Sequence, residues 1–322
     1  FEGGAPGTQL DRIVIDGDQN DVGFNVGDVF FDTNDAALGA DFSFPFSVIS
    51  QNGIDRVTAS VDDGTTRLTL DFEGFEAGEV LRFSIDVDEV EFLDASQTDL
   101  MLINDGFDPI TSGVEFQSSS LSATLSAPNF ETADANSTFI NRYDDVFDGT
   151  DLKLPPDDID GKRDRTAGAM AQVQQQPIPV SISGHVFHDR DQDGQRDSGE
   201  EPIGGVSIRA IPIETVVQQD AVIAVTDEAG FYEFQDLMPG SYQLVEVAQP
   251  AGYLDGIDAA GTVDGQRSGN AINPGDMIDD IFLPGGSVGV DFDFGEILPV
   301  SLSGQVHLAN SDGDCFSETV EH

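Results

Sequence analysis

The chain has 322 residues, of which 61 are acidic and 13 basic, and its formal net charge is −48 at neutral pH. This charge excludes nucleic acids and anionic membrane surfaces as partners, because both are bound through a basic face. No apolar run approaches the roughly 18–20 residues that a bilayer-spanning helix needs, so we expect no membrane insertion in this segment.

Residues 1–150 carry strand patterns along most of their length. Apolar and polar residues alternate in DVFFDT, RVTASVDDGTTRLTLDF, EVLRFSIDVDEVEF and SGVEFQSSSLSATLSA. The run RVTASVDDGTTRLTLDF divides into two strands around Asp63-Gly64, a dipeptide that suits the type I′ turn of a tight hairpin. The fold predicted for this part is an antiparallel, jelly-roll-like β-sandwich. The chain begins with Phe1 rather than Met, so we expect a processed N-terminus from which any signal peptide has been removed.

A connector of different composition follows at 151–177. It gathers Pro, Gly and Gln and contains four of the thirteen basic residues. Its segment TAGAMAQVQQQ is the best helix candidate in the chain, and Pro177 ends it. We expect the connector to be ordered in part by packing along the edge of a domain.

Residues 178–298 form the second predicted β-sandwich, also antiparallel. Short runs such as VSISGHVF, VSIRAIPI, GFYEF and GSYQLVEV are separated by turn residues at regular intervals. The first run recurs, because PVSISGHV at 179–186 returns as PVSLSGQV at 299–306. We therefore assign 299–322 as the first strand and acidic loop of a further repeat, or as a donor strand for another chain. In either case Val300 and Leu302 should be buried against other β-structure.

The second sandwich resembles a known family of surface domains. SGHVFHDRDQDGQRDSGEEPIGGVSIRAI is followed by VTDEAGFYEFQDLMPGSYQLVEVAQPAGYLDG and a closing FDFGE, which is the order of motifs in SdrD B-like domains. These are calcium-binding relatives of the Cna-B fold in bacterial adhesins, and the arrangement with its repeat is similar to large surface proteins of planctomycete-type bacteria. The resemblance implies a compact β-sandwich module outside the cell. It does not extend to the Lys–Asn isopeptide bond of many Cna-B relatives, because no lysine follows Lys162.

The acidic loop Asp189–Glu200 has the ligand spacing of a calcium-binding loop. Calcium takes six to eight oxygen ligands, and a twelve-residue loop supplies them from positions 1, 3, 5, 7, 9 and 12. Position 6, where the chain must turn sharply, is Gly194. The predicted ligands are Asp189, Asp191, Asp193, the Gln195 carbonyl, Asp197 and Glu200. These acids repel one another unless a cation lies between them, so we predict that the loop binds Ca²⁺. The chain has a single cysteine, Cys315, which excludes an internal disulfide, and we expect the ion to stiffen the domain instead.

Two other acidic segments have partial calcium-loop spacing. In the tail the candidate ligands are Asn310, Asp312, Asp314, Glu318 and Glu321, with Cys315 at the position where glycine is usual. Near the N-terminus they are Asp16, Asp18, Asn20 and Asp28. Asp86 and Asp88 alternate along one strand face, for which we expect a solvated surface and not a metal site. Asn136 begins an N-S-T triplet that fits an N-glycosylation acceptor.

No constellation of catalytic residues converges in this sequence. The four histidines do not accompany a nucleophile, zinc or phosphate-loop motif, so we expect no enzyme. We predict a calcium-stiffened structural subunit or stalk segment of an extracellular bacterial surface fibre or layer, with head-to-tail or lattice self-association. The alternative is a secreted, cell-surface adhesin that binds a host or matrix protein or glycan through its N-terminal sandwich.

Overall fold

The computed structural model describes residues 1–19, 27–34, 43–89, 116–140 and 167–304. Within these ranges every regular element is a β-strand, which confirms the all-β fold class. The chain divides into two compact units, Phe1–Ile178 and Pro179–His322. No helix among the described residues is long and apolar enough to cross a membrane.

The first unit contains nine described strands: β1 (Gln9–Asp16), β2 (Val29–Asp32), β3 (Ser47–Asn52), β4 (Arg56–Val61), β5 (Arg67–Glu73), β6 (Val80–Ser84), β7 (Asp86–Glu89), β8 (Ser120–Ala127) and β9 (Phe130–Thr138). Five of them form an antiparallel sheet in the order β4-β5-β1-β8-β9, while β2 pairs with β7 and β3 with β6. The buried core cluster of this unit is Leu10, Phe31, Ile54, Leu68, Leu70, Phe72 and Phe75. A jelly-roll connectivity would involve residues outside the described ranges, so it stays a prediction.

The hairpin that joins β4 to β5 has a different turn from the predicted one. A type I′ turn needs positive φ at both central residues, but of Asp63-Gly64 only Gly64, at +72°, has it. The turn is drawn into pairing with β2, because Gly64 N–H donates to the Phe31 carbonyl at 2.9 Å and Phe31 N–H donates to the Thr65 carbonyl at 2.8 Å. The connection is therefore five residues long instead of two.

The described part of the connector, residues 167–177, contains no helix. It lies along the β8–β9 hairpin, where Glu131 N–H donates to the Gln176 carbonyl at 2.8 Å and Ile178 N–H donates to the Asn129 carbonyl at 2.9 Å. The best helix candidate of the sequence is therefore not a helix. The backbone groups at a strand edge offer this segment partners that outweigh its weak helix preference.

The second unit contains twelve described strands: β10 (Val180–His188), β11 (Ser207–Thr215), β12 (Val222–Val225), β13 (Phe231–Leu237), β14 (Gly240–Glu246), β15 (Leu254–Asp255), β16 (Thr262–Val263), β17 (Gln266–Arg267), β18 (Asn270–Ile272), β19 (Met277–Leu283), β20 (Val288–Val290) and β21 (Phe294–Ile297). One sheet has the order β12-β11-β14-β19-β18, and the other β15-β21-β10-β20-β16-β17 with β13 also paired to β10. Ile182 and Phe294 from the second sheet share one buried core with Ile208 and Leu244 from the first, as in a sandwich.

Strand β10 pairs in parallel with β20 and β21, a departure from purely antiparallel pairing. Ser181 and Ile182 pair with β20, and the stretch from Val186 to His188 pairs with β21. Parallel neighbours need a long crossover, which the intervening strands of the domain supply. On the other edge β10 pairs antiparallel with β13. The strand that leads into the acidic loop is therefore held on both sides.

Candidate metal centre

The loop Asp189–Glu200 begins where β10 ends, and backbone hydrogen bonds hold its two ends together. His188 N–H donates to the Glu201 carbonyl at 2.8 Å, and Ile203 N–H donates to the Val186 carbonyl at 2.9 Å. The loop is thus a reversal between extended segments, with no flanking helix. A calcium loop needs oxygen ligands and a sharp turn, and neither depends on helices.

Asp189 anchors the loop. It is 1% exposed, and its N–H donates to the Glu296 carbonyl at 2.8 Å. One carboxylate oxygen accepts hydrogen bonds from Gln192 N–H at 2.8 Å and Asp193 N–H at 3.3 Å, and the other accepts one from Gly194 N–H at 3.0 Å. Such side-chain to backbone bonds bend the chain around the aspartate, so that the next carboxylates return toward it.

Gly194 provides the sharp turn that position 6 requires. Its φ is +74°, in the left-handed region that favours glycine. A Cβ at this position would lie 2.6 Å from Cγ2 of Ile257. The backbone conformation therefore favours glycine here, and a Cβ would also displace the Ile257 side chain.

Positions 1, 3 and 5 of the loop bring three carboxylates together. Oxygen atoms of Asp189, Asp191 and Asp193 lie within 4.8 Å of one another. Asp191 and Asp193 are exposed, so ions can reach the cluster from solvent. Because calcium–oxygen distances are about 2.3–2.6 Å, two ligands on opposite sides of one ion are about 5 Å apart. The spacing therefore suits one hard cation between the three carboxylates.

The second half of the loop is arranged differently. The Glu200 carboxylate accepts hydrogen bonds from Arg190 N–H and Asp197 N–H, both at 2.8 Å, and is not part of the three-carboxylate group. Gln195 is exposed, and its backbone and side-chain N–H groups donate to Asp193. The structure therefore assembles the first three predicted carboxylates and directs Glu200 to backbone amides.

The weaker candidate ligands do not converge within the described ranges. Asp16 accepts a hydrogen bond from the Thr66 hydroxyl at 2.8 Å and from Asp18 N–H at 3.1 Å. Asp28 is fully buried and accepts one from Gln19 N–H at 3.0 Å. Asn20 and the tail residues Asn310, Asp312, Asp314, Glu318 and Glu321 lie outside the described residues, so both sites stay predictions.

The glycosylation and assembly candidates are exposed side chains. Asn136 lies on β9 and accepts a hydrogen bond from the Ser122 hydroxyl at 2.7 Å. Val300 and Leu302 are 97% and 100% exposed in the single chain. Their burial against β-structure from another chain or a further domain stays a prediction.

The expectation of a solvated face on β7 is wrong for Asp88, which is buried. It is 6% exposed and pairs across from Phe30 of β2, a strand that is buried at every position. Burial raises the pKa of Asp86, and the neighbouring Asp88 raises it further. β7 therefore carries carboxylates into the protein, because its partner strand lies in the interior.

A second group of converging carboxylates has no signature in the sequence spacing. Oxygen atoms of Glu246, Asp276 and Glu296 lie within 4.8 Å of one another. They come from the end of β14, the turn before β19 and strand β21, which are distant along the chain. The available signal is weak: one glutamate at the end of YQLVE and another in DFDFGE, each after an alternating apolar run.

Comparison with known proteins identifies the second domain. Residues 180–296 match the family model of the SdrD B-like domain, and no match to a curated protein was found. Among similar solved structures, the major pilin subunit BcpA of Bacillus cereus has 10% sequence identity and a TM-score of 0.26, and the match covers 90% of this chain and 60% of BcpA. The minor pilin GBS52 of Streptococcus agalactiae has 15% identity and a TM-score of 0.23, and the match covers 44% of this chain and 57% of GBS52. The major pilin SpaD of Corynebacterium diphtheriae has 10% identity and a TM-score of 0.26, and the match covers 91% of this chain and 66% of SpaD. The chain spans less than two thirds of the length of each. Residues 180–296 are therefore an SdrD B-like domain.

Proposed function

We propose that this chain is a calcium-stiffened structural segment of an extracellular bacterial surface fibre or layer. The observation that carries the proposal is the Asp189–Glu200 loop, in which three carboxylates converge between two extended segments of an SdrD B-like domain. Calcium is the expected ion because the loop offers oxygen donors only, at the spacing of a twelve-residue calcium loop.

The loop is placed where an ion can stiffen the domain. Its first ligand, Asp189, is bonded through its N–H to β21, and its far end is bonded to β10 through Glu201. An ion held by Asp189, Asp191 and Asp193 therefore fixes how the chain leaves β10. The second unit has neither a lysine for an isopeptide bond nor a pair of cysteines for a disulfide. A bound metal ion can stiffen the domain in place of these covalent links.

Calcium binding should appear directly in calorimetry. We expect the full chain, stripped of metal, to bind calcium, and Asp191→Ala to lose one class of sites. A ligand at 100 times its Kd adds about 2.7 kcal/mol to the free energy of unfolding, so calcium should raise the melting midpoint of the domain by about 5–10 °C over that in chelator. Asp220→Ala, at an exposed position outside the loop, is the matched control and should bind as the wild type does.

Two results would contradict this proposal. Identical heats of calcium binding for the wild type and Asp191→Ala would show that the loop does not bind the ion. Electron microscopy tests the structural role: filaments or lattices in calcium support a fibre or layer segment, whereas dispersed monomers with and without calcium favour the adhesin alternative.

A further inference from the structure

Glu246 is a buried carboxylate that accepts no hydrogen bond from the residues that the structure describes. It ends β14, is 3% exposed, and neither of its carboxylate oxygens is hydrogen-bonded within the described part of the chain. Its oxygens lie within 4.8 Å of those of Asp276 and Glu296, so the side chain is directed at two further carboxylates. Glu296 is itself only 1% exposed. A buried carboxylate is costly unless a hydrogen bond or a counter-charge compensates it.

The surroundings add negative charge. Asp255 of β15 pairs with Glu296 of β21, and Asp258, three residues later, is 4% exposed. Each of these two aspartates has one buried oxygen that accepts no hydrogen bond from any described residue. We call Glu246, Asp255, Asp258, Asp276 and Glu296 the inner carboxylate cluster. None of the ion pairs among the described residues involves a member of this cluster.

Amide groups supply only part of the compensation that the inner carboxylate cluster needs. The Gln249 side-chain amide donates to Glu296, and Gly275 N–H donates to Asp255 at 2.8 Å. Without a counter-ion the cluster must either take up protons or hold unpaired negative charge in the interior.

A hard divalent cation compensates both the negative charge of the inner carboxylate cluster and its lack of hydrogen-bond donors. It neutralises two charges and is coordinated by the oxygens that have no donor. All three converging groups are carboxylates, a donor set that selects hard cations over zinc or copper. Magnesium usually keeps several waters and takes one or two protein carboxylates, whereas calcium accepts many carboxylate oxygens in irregular geometry. Three converging carboxylates, two of them buried and one half-buried, therefore favour calcium.

We propose that Glu246, Asp276 and Glu296 form a second calcium site, separate from the loop Asp189–Glu200, with Asp255 and Asp258 beside it. The site joins the two sheets of the sandwich, because Glu246 ends β14 and Asp276 directly precedes β19 of one sheet, whereas Glu296 lies in β21 of the other. An ion here is a cross-sheet link, the role that a disulfide has in other small sandwiches.

The second site is connected to the loop through one residue. The Glu296 carboxylate belongs to the inner carboxylate cluster, and the Glu296 carbonyl accepts the hydrogen bond from Asp189 N–H at 2.8 Å. An ion bound to Glu296 therefore also positions the strand to which the first ligand of the loop is bonded. We expect removal of the second site to weaken calcium binding by the loop by about 3- to 10-fold without abolishing it.

The test is a count of bound calcium in the full chain. Metal-free wild type, Glu246→Gln, Asp191→Ala and the double variant are equilibrated with CaCl₂ by dialysis, and the ions per chain are counted by atomic emission. We expect each single variant to lose one ion and the double variant to lose two. Glu233→Gln, the same chemical change at an exposed position of β13, is the control and should lose none.

Thermal melting adds a signature that a merely structural role of Glu246 would not produce. In chelator, Glu246→Gln should melt at or above the wild-type temperature, because the variant removes a carboxylate that must either take up a proton or hold a charge in the interior. In calcium it should melt below the wild type, because it lacks the second ion. If Glu246→Gln does not fold, as judged by near-ultraviolet circular dichroism, Asp276→Asn at a half-buried position gives the same comparison.

Three results would overturn the proposal. One is an unchanged calcium count in Glu246→Gln, or in Asp276→Asn where that variant replaces it. Another is an equal shift of the melting midpoint by calcium in wild type and variant. The third is a midpoint raised as much by MgCl₂ as by CaCl₂ at the same concentration, which would overturn the assignment to calcium. Loss of binding in Asp191→Ala alone concerns the loop, so the two sites can fail or hold separately.

Discussion

Asp32 shows what burial does to a carboxylate in this chain. It ends β2 and is 1% exposed. Its pKa is raised from the ordinary value of 3.8 to about 6. Burial is the largest cause, a hydrogen bond from Asn34 N–H opposes the rise, and the carboxylates of Asp88, Asp63 and Asp86 add to it. The folded protein therefore keeps a proton on Asp32 at mildly acidic pH, where the unfolded chain has already lost it.

This difference predicts a pH dependence of stability. Between about pH 3.8 and 6 the folded chain binds more protons at Asp32 than the unfolded chain does, so the stability contributed by this group falls as pH rises through the window. We expect Asp32→Asn to be more stable than the wild type at pH 7.5 by about 1–3 kcal/mol, with a much smaller difference at pH 4. Urea unfolding in chelator measures both values.

The control for Asp32→Asn is Asp62→Asn, at an exposed position of the turn after β4, which should change little at either pH. A variant Asp32→Asn that is less stable than the wild type at pH 7.5 would show that the ionised carboxylate is favourable in the folded protein.

Among the elements, β10 determines the position of the acidic loop, because the loop begins where this strand ends. One half of the strand pairs with β20 and the other half with β21, and the switch between them occurs near Gly184. A Cβ at Gly184 would lie 1.8 Å from the Phe292 carbonyl oxygen. The same oxygen accepts a hydrogen bond from the Tyr232 hydroxyl at 2.5 Å. The backbone of the segment before β21 therefore passes directly over β10 at this glycine.

Gly184→Ala should accordingly destabilise the second unit strongly. The added methyl group meets backbone and not a flexible side chain, so β10 and the Phe292 segment must separate, at a cost of about 3 kcal/mol. Guanidinium unfolding in calcium measures the loss. Ser181→Ala, on the same strand at a half-buried position, is the control. Equal midpoints for Gly184→Ala and the control would contradict the close approach.

For the whole molecule, the question is what residues 299–322 do. Val300 and Leu302 are almost completely exposed, although the same PVS-S-G pattern at 179–184 forms a strand buried in the second unit. Two apolar side chains in this state, on a segment with strand alternation, are typical of a segment that pairs with another sheet. A donor strand added to the next subunit is a heterologous contact, which propagates into a filament.

We therefore expect the tail to be required for self-association. Deleting 299–322, or substituting Val300→Asp and Leu302→Asp together, should abolish filaments in electron microscopy and reduce the sedimentation coefficient to that of a monomer. Val217→Asp, which changes an exposed valine of the β11–β12 loop, is the control and should still assemble. Filaments that persist after deletion would exclude strand donation by this tail.

The sequence by itself determined the all-β class and the acidic loop, since both depend on near neighbours in the chain. Asp189, Asp191, Asp193 and Gly194 lie within six residues, so their spacing largely dictates how they can surround an ion. Only the tertiary structure brought together Glu246, Asp276 and Glu296, paired β10 in parallel with β21, and carried Asp88 into the interior. These contacts join residues far apart in the chain, and strand alternation states which residues share a face but not which strands become neighbours.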